Sequence, residues 1–542
     1  MKKVIAIGLG VIIVVLIIWI GLYVRGIYDV KRAATSINGL SSQNDDDLID
    51  HQWDKETLLL NKYHHGNYTF DHPYIVTNPY NFTPLTALIM FKTDMPVQIS
   101  VTVKGVDSAS DIHRSWSGYS TDHQIPVLGL YPNKSNRVIV IAKTKQGHTE
   151  TRTLFIQTKP LPDHFLKTKV VTKKPQKIGD RLIFLTFNDK YAYAVDVHGD
   201  VRWYSSISNQ HVFTHLKNGH ILFATKKMNQ YNDLLEMDLL GKVYHAYTIN
   251  VDHDTGLDDA IELPNGNLLL AAPYDGSRHV EDDLIEINRQ TGHIVHTVNM
   301  RRILPKFFYK NDENPQATGK GMDWVHQNAI LYDSMDHSVV ISSDHQDALL
   351  KMSYPNGKIK WIFSNPKDWP TSYKNKLLTP VGDHFTFPTG QHFSVAMLDY
   401  DHKEQILNVD MLNNGMGMLR ENKNSRQTLG RGVQYRIDEK NKTVTEMASY
   451  GRKLGQNFFS NTLGDTVYLP QTGDGFTISD YTKSTKGRTT SVVEVVNSAS
   501  AKVVLELEIT GFKATSDQQI YRATYLPLYP KQWHFTLERH RD

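Results

Sequence analysis

Six times between residues 191 and 508 the chain runs a hydrophobic strand into a polar turn and out again into a second strand. The copies are "YAYAVDVHGDVRWYSS" (191–206), "LLEMDLLGKVYHAYTI" (234–249), "LIEINRQTGHIVHTVN" (284–299), "LLKMSYPNGKIKWIFSN" (349–365), "GVQYRIDEKNKTVTEMAS" (432–449) and "SVVEVVNSASAKVVLELE" (491–508). Each is a hairpin pattern, with turn residues between runs rich in β-branched and aromatic side chains. A lone hairpin cannot bury its apolar faces, so a series of them must stack. Between the copies lie "LKNGHILFAT", "LPNGNLLLAA", "HSVVISS" and "EQILNVD", which read as inner strands. Six hairpins with further strands imply an all-β fold, a six-bladed β-propeller over residues 173–530, with "YRATYLPLY" (521–529) closing the ring. A large sandwich or a solenoid is the alternative. Copies uneven in length but alike in pattern favour the ring. The longest insertions, 301–322 and 366–388, fall just before two histidine-bearing strands, and long loops at one rim of such a ring tend to carry function.

The amino-terminal third is built differently. From Tyr68 to Pro162 alternating strands such as "QISVTVKG" and "NRVIVIAKTK" are broken by Pro, Gly and Asn, which predicts a small β-sandwich over 67–165. Residues 26–66 read as a polar stalk and a short helix, "DLIDHQWDKETLLLNKY". Residues 4–24 are twenty-one uncharged residues between Lys3 and Arg25, about the length needed to span a ~30 Å hydrocarbon core. They outrun an ordinary secretory apolar segment and no small-residue cleavage site follows. Residues 1–25 are therefore expected to be an uncleaved transmembrane signal anchor. The three-residue head leaves the amino end cytoplasmic, which makes this a single-pass cell-membrane protein with its globular domains extracellular. A net charge of +3 and the lack of any basic tract interleaved with aromatics argue against nucleic acid as a partner. With no cysteine, disulfides, thiolate zinc sites and a cysteine nucleophile are all excluded.

Among 25 histidines a single one carries little weight, and most read as ordinary surface or half-buried side chains. His326 and His392 are placed differently. His326 follows "DW" just before the strand "NAILYD", and His392 follows "PTGQ" just before "SVAMLDYD". The first strand of each blade lines the central channel, so the heads of these strands converge on the axis. Two imidazoles meeting there suit a metal site, with Asp344 or Asp258 as third ligand, or nucleophilic transfer chemistry. On pattern alone both stay open, with a structural role close behind.

The stretches "NPYNFTPLTALIMFKTDMPVQISVTVKG", "DHQIPVLGLYPNKSNRVIVIAKTKQG" and "IQTKPLP" resemble the amino-terminal sandwich of the bacterial arylsulfate sulfotransferases. Downstream, "DAIELPNGNLLLAA", "DDLIEINRQTGHIV", "DWVHQNAILYD", "GQHFSVAML" and "YRIDEKNKTVTEMASYGR" resemble the same family in the same order. The resemblance covers about residues 65–510. It implies a six-bladed propeller behind a sandwich, and transfer of a sulfuryl group from an aryl sulfate to a phenol without a nucleotide donor or other cofactor. The family reaction is ping-pong through a sulfohistidine, and the family includes homodimers. Carried over by position, the resemblance makes His392 the nucleophile, His326 an acid or base for the phenol oxygen, and Asn328 a donor to the sulfate.

Two positions depart from the family pattern. Where the family has H-H-E or H-H-D before the "PNGN" strand, this chain has Leu257, Asp258 and Asp259, with His253 five residues before Asp258. Where the family has an arginine after the H-x-N strand, "SSDHQ" supplies Asp344, followed by His345. Two unit charges about 4 Å apart interact by roughly 4 kcal/mol at an effective dielectric near 20, and here the sign is reversed. A basic neighbour such as His345, Arg431 or Arg278, or a cation held by Asp344 and Asp258, would restore the charge. Otherwise the chain is a non-catalytic extracellular propeller module that has lost sulfate recognition.

Overall fold

The computed structural model describes residues 45–173, 181–187, 190–209, 211–226, 232–249, 257–272, 283–304, 325–383, 385–389, 395–413, 431–450, 466–469, 474–483, 489–497, 502–512 and 520–538. The expected anchor at 1–25 and residues 26–44 of the stalk lie outside them. No helix among the described residues is long and apolar enough to cross a membrane.

Each of the six hairpins read from the sequence forms two neighbouring antiparallel strands on the outer side of its own sheet, with one further edge strand beyond it in the fifth sheet (the parallel Thr379–Val381) and in the sixth. The second sheet, for example, runs Phe213–His215, Ile221–Lys226, Asn232–Met237, Val243–Ile249 in strict neighbour order. The third begins with Asp259–Glu262, the fourth with Gln327–Asp333, the fifth with Val395–Asp401 and the sixth with Thr466–Leu469. The runs read as inner strands, such as "HSVVISS", are the second strands of their sheets. The true first strands are short: three residues in the second sheet and four in the third.

Closure follows the expectation. Ile520–Pro527 pairs antiparallel with Arg181–Phe187, so the last strand completes the first sheet. The opposite edge of the sixth sheet gains a fifth strand, Lys167–Lys173, from the segment leading into the ring. The result is a propeller-like ring of six sheets. Strands in such a ring are covered on both faces, which is why Leu268–Ala271 and Ser338–Ser343 are buried at every position instead of alternating. Separate apolar layers fill the gaps between neighbours. Leu222, Ala260 and Leu270 pack between the second and third sheets, and Val340, Leu407 and Tyr435 between the fourth and fifth.

The amino-terminal β domain is organised around one 18-residue strand, Thr86–Val103. Its first half pairs with Tyr74–Thr77 and Ser120–Leu128, its second with Ile112–Ser115 and Ser135–Thr144. One strand thus carries two sets of neighbours, with Asp94–Pro96 between them outside those pairings.

The segment read as a stalk carries a 21-residue helix, Asp45–His65, that is packed down rather than free. Gln52 is bonded to Gly241 O and Val243 N, and Glu56 to Lys242 Nζ at 2.9 Å and to Tyr80. A carboxyl-terminal strap fastens the same region. Tyr529 Oη accepts from Leu128 N and donates to Pro126 O, Trp533 Nε1 donates to Asp238, and Leu537 N to Gln124. Arg202, fully buried, donates to Gly129 O and Ser110 O in the amino-terminal domain while pairing with Asp196. Helix, sandwich and ring therefore share one continuous apolar core.

Candidate functional site

The fourth sheet opens on a distortion. Gln327 pairs with Ser343 and Ala329 with Ser342, which leaves Asn328 as the extra residue of a β-bulge. Two residues before it, His326 has φ 51°, in the left-handed region. Few non-glycine residues stand there without a reason. At the end of the second strand Asp344 N donates to His326 O, and this brings the next residue, His345, beside the first histidine. The two imidazoles stack with centroids 4.7 Å apart and planes 26° from parallel. His326 is half-buried, whereas Asn328, Asp344 and His345 are enclosed.

The third sheet meets the fourth here through its own first strand. Asp259 Oδ2 accepts from Ile330 N at 2.8 Å, tying the two strand heads together. The other oxygen of Asp259 receives Arg522 Nη1 at 3.0 Å. Arg522, on the closing strand, also donates through Nη2 to Asp258 O (2.7 Å) and Asn328 O (3.4 Å). One guanidinium from the first sheet thus clamps the heads of the third and fourth. Its neighbour Tyr521 donates to Asp258 Oδ1, and His211, from just before the second sheet, places Nδ1 3.2 Å from the same oxygen. The rings of His211 and Tyr521 lie flat on each other, 4.0 Å apart and 3° from parallel. His211 has φ 52°, the same left-handed turn as His326. Four sheets therefore deliver side chains to one end of the ring.

The site residues named from the sequence fare unequally. His326, Asn328, Asp344 and His345 are brought together on the fourth sheet. Asp258 stands next to them on the third, linked through Arg522. Arg431 was a candidate to offset Asp344, but its guanidinium is committed to a two-pronged pair with Glu446 at 2.8 and 3.2 Å. His392, His253 and Arg278 lie outside the described residues; Thr389, three residues before His392, is bonded to Asn413. Among the described residues no three His, Asp or Glu side chains gather as a metal site. Arg522, Tyr521 and His211 escaped the sequence reading. The repeat frame itself held the one clue to His211: like His326, it stands just ahead of a first strand.

The sequence signature of the arylsulfotransferase family matches residues 167–522, and that of the arylsulfotransferase Ig-like domain matches residues 74–159. The chain belongs to the arylsulfotransferase family. It is 24% identical over 491 residues to arylsulfate sulfotransferase AssT of Lelliottia amnigena, across 71% of this chain and 81% of that protein. It is 23% identical over 494 residues to AssT of Escherichia coli O6:H1, with the same coverage. Among solved structures, the beta-propeller domain of Cps50 (Swd1) from Myceliophteria thermophila aligns at a TM-score of 0.32 and 10% identity, over 63% of this chain and 86% of that one. A likeness that loose carries no argument. At this distance from its relatives the family member has room for the acidic positions 258 and 344.

Proposed function

We propose that this arylsulfotransferase family member moves a sulfuryl group from an aryl sulfate to a phenol in two displacements through His392. In the first, an imidazole nitrogen attacks sulfur, the sulfur–oxygen bond to the aryl group breaks, and His326 gives the departing phenolate its proton. In the second, His326 takes the proton of the acceptor phenol as its oxygen attacks sulfur and the nitrogen–sulfur bond breaks. Asn328 is enclosed, so its amide meets the sulfuryl oxygens only once the site opens around the donor. Among the described residues Arg522 is the guanidinium that reaches this end of the ring, but like Arg431 it is already paired, with Asp259 at 3.0 Å, so its part is to hold the strand heads that carry the site in place.

One observation carries this reading: the heads of first strands from separate sheets converge on a half-buried histidine and a half-buried arginine. The reading includes a six-bladed propeller (173–530) behind a sandwich (67–165), held outside the cell by the anchor at 1–25. The test is release of phenol from an aryl sulfate by the purified protein, with and without an acceptor phenol. Turnover is expected only with acceptor. It should fall about 10²–10⁴-fold in His326→Ala and to background in His392→Ala. Full turnover in His392→Ala would remove that residue from the reaction.

The acidic positions favour a second reading, a non-catalytic extracellular binding module. Asp344 and Asp258 put enclosed carboxylates beside the place where a sulfate must sit. Under that reading the donor leaves no covalent mark on the protein.

A further inference from the structure

In the second, third and fourth sheets the third and fourth strands slip register directly after one residue, Glu236, Glu286 and Lys351 in turn. The frame repeats and the charge does not. Glu236 pairs with Arg289, and Glu286 is met by Asn265, Asn267 and Tyr354. In the fourth sheet the position is a fully buried lysine with three carboxylates around it. Lys351 Nζ lies 2.9 Å from Asp333, 3.1 Å from Asp336 and 2.7 Å from Glu439. Asp333 ends the first strand of the same sheet, and Glu439 follows Arg431–Asp438 of the fifth. Gln327 and Asp333 are six residues apart, about 20 Å along an extended strand, so the cluster sits at the rim opposite His326.

One more ammonium belongs to it, Lys360, 2.6 Å from Asp336. Three carboxylates thus share two ammoniums, and among the described residues none of the five makes an ion pair outside the set. Burial pulls the Lys351 ammonium down, yet Glu439 and the aspartates hold it above its ordinary value. Burial lifts the Asp336 carboxyl, but Lys360, Ser338 and Lys351 keep it below its ordinary value, so the surplus negative charge is present at neutral pH. Beside the cluster is a cleft of about 430 Å³, with Asp336, Glu439 and Lys360 on its wall. Trp361, Tyr400 and Met335 add aromatic and thioether surface, and Met335 is 63% exposed. Trp361 Nε1 and Tyr400 Oη both donate to Glu439, which holds rings and carboxylate as one unit. Surplus negative charge against aromatic surface suits a cation with an apolar body. A hard metal ion fits poorly. It needs six or more oxygens, and these carboxylates already serve Lys351, Lys360, Trp361, Tyr400 and Ser338. An ammonium needs only two or three acceptors.

We propose that this cleft binds a small organic monocation, an ammonium or guanidinium group on an apolar body, separately from the axial site. The proposal does not depend on the transfer reaction. The probe is n-butylammonium, titrated calorimetrically into the full chain in detergent micelles, with 1-butanol as the uncharged control. The titration is run at pH 8, above the ordinary range of histidine, because His402 shares the wall. Saturable binding is expected for the amine, about tenfold or more tighter than for the alcohol, and about tenfold weaker in Asp336→Asn. Lys360→Gln frees an Asp336 oxygen and deepens the surplus, so it should tighten binding about threefold. Lys360 is part-exposed, so this variant decides the matter if Asp336→Asn fails to fold. Binding is retained in His326→Ala. Absence of saturable binding, equal affinity for the alcohol, unchanged affinity in Asp336→Asn, weaker or unchanged binding in Lys360→Gln, loss in His326→Ala, or displacement of the amine by an equal concentration of calcium would each overturn the proposal.

Discussion

Arg522 is the residue on which the axial site turns. Its guanidinium touches one carboxylate and two backbone carbonyls drawn from two other sheets, and it lies 263 residues from Asp259 and 194 from Asn328 in the chain. No local pattern announces such a residue, because only closure of the ring brings it there. His326 and Asn328, by contrast, were legible. They are an H-x-N at a strand head, and the bulge that displays them is local. Arg431 shows the opposite failure: a plausible cation by position, it is consumed by Glu446 on the next strand. Arg522→Gln leaves the Asp259 carboxylate, 6% exposed, without its cation. Breaking an enclosed pair this way costs about 3 kcal/mol, so the urea midpoint is expected to fall along with transfer activity. Unchanged stability and turnover in Arg522→Gln would remove the clamp from both roles.

At the level of single elements, the hairpins were readable because each is a short-range unit, two strands and a polar turn. The shortest first strands were not. Phe213–His215 and Asp259–Glu262 are too short to show a period and are recognisable only by what they pair with. The second strand of the fifth sheet, Ile406–Asn413, carries a prediction of its own. Burial lifts the Asp410 carboxyl to about 7, against a partly opposing hydrogen bond from Gln434. The unfolded chain titrates near the ordinary carboxylate value of about 3.9. Between those values the folded state binds the extra proton, so this contribution is complete below about pH 4 and is lost as the pH rises through 7. Over that window it amounts to about 1.4 kcal/mol per pH unit. Asp410→Asn is expected to flatten the decline in unfolding free energy between pH 4 and 7 and to be the more stable protein at pH 8. Parallel pH profiles for the two would contradict this.

On the scale of the whole molecule, the sandwich, the helix and the strap are one body with the ring, which composition and period gave no means to foresee. The short helix read within residues 26–66 is present as Asp45–His65, but its docking was not legible: Gln52 and Glu56 look like solvent residues until Gly241, Val243 and Lys242 stand opposite them. A turn of the ring shows how tightly the parts fit. Gly219 has φ 89°, and a Cβ there would lie 2.9 Å from both Pro530 Cβ and Trp533 Cβ of the strap. Gly219→Ala should therefore lower stability by about 2 kcal/mol through backbone strain and overpacking together, read as a drop in the urea midpoint. A neutral outcome would mean that the strap is loosely held.

Whether imidazole carries the sulfuryl group is decided by the intact mass of the protein after exposure to an aryl sulfate donor with no acceptor present. A gain of one SO₃ per chain, absent in His392→Ala and discharged by adding a phenol, is the expected result. An unchanged mass, or the same gain in His392→Ala, would contradict transfer through that histidine.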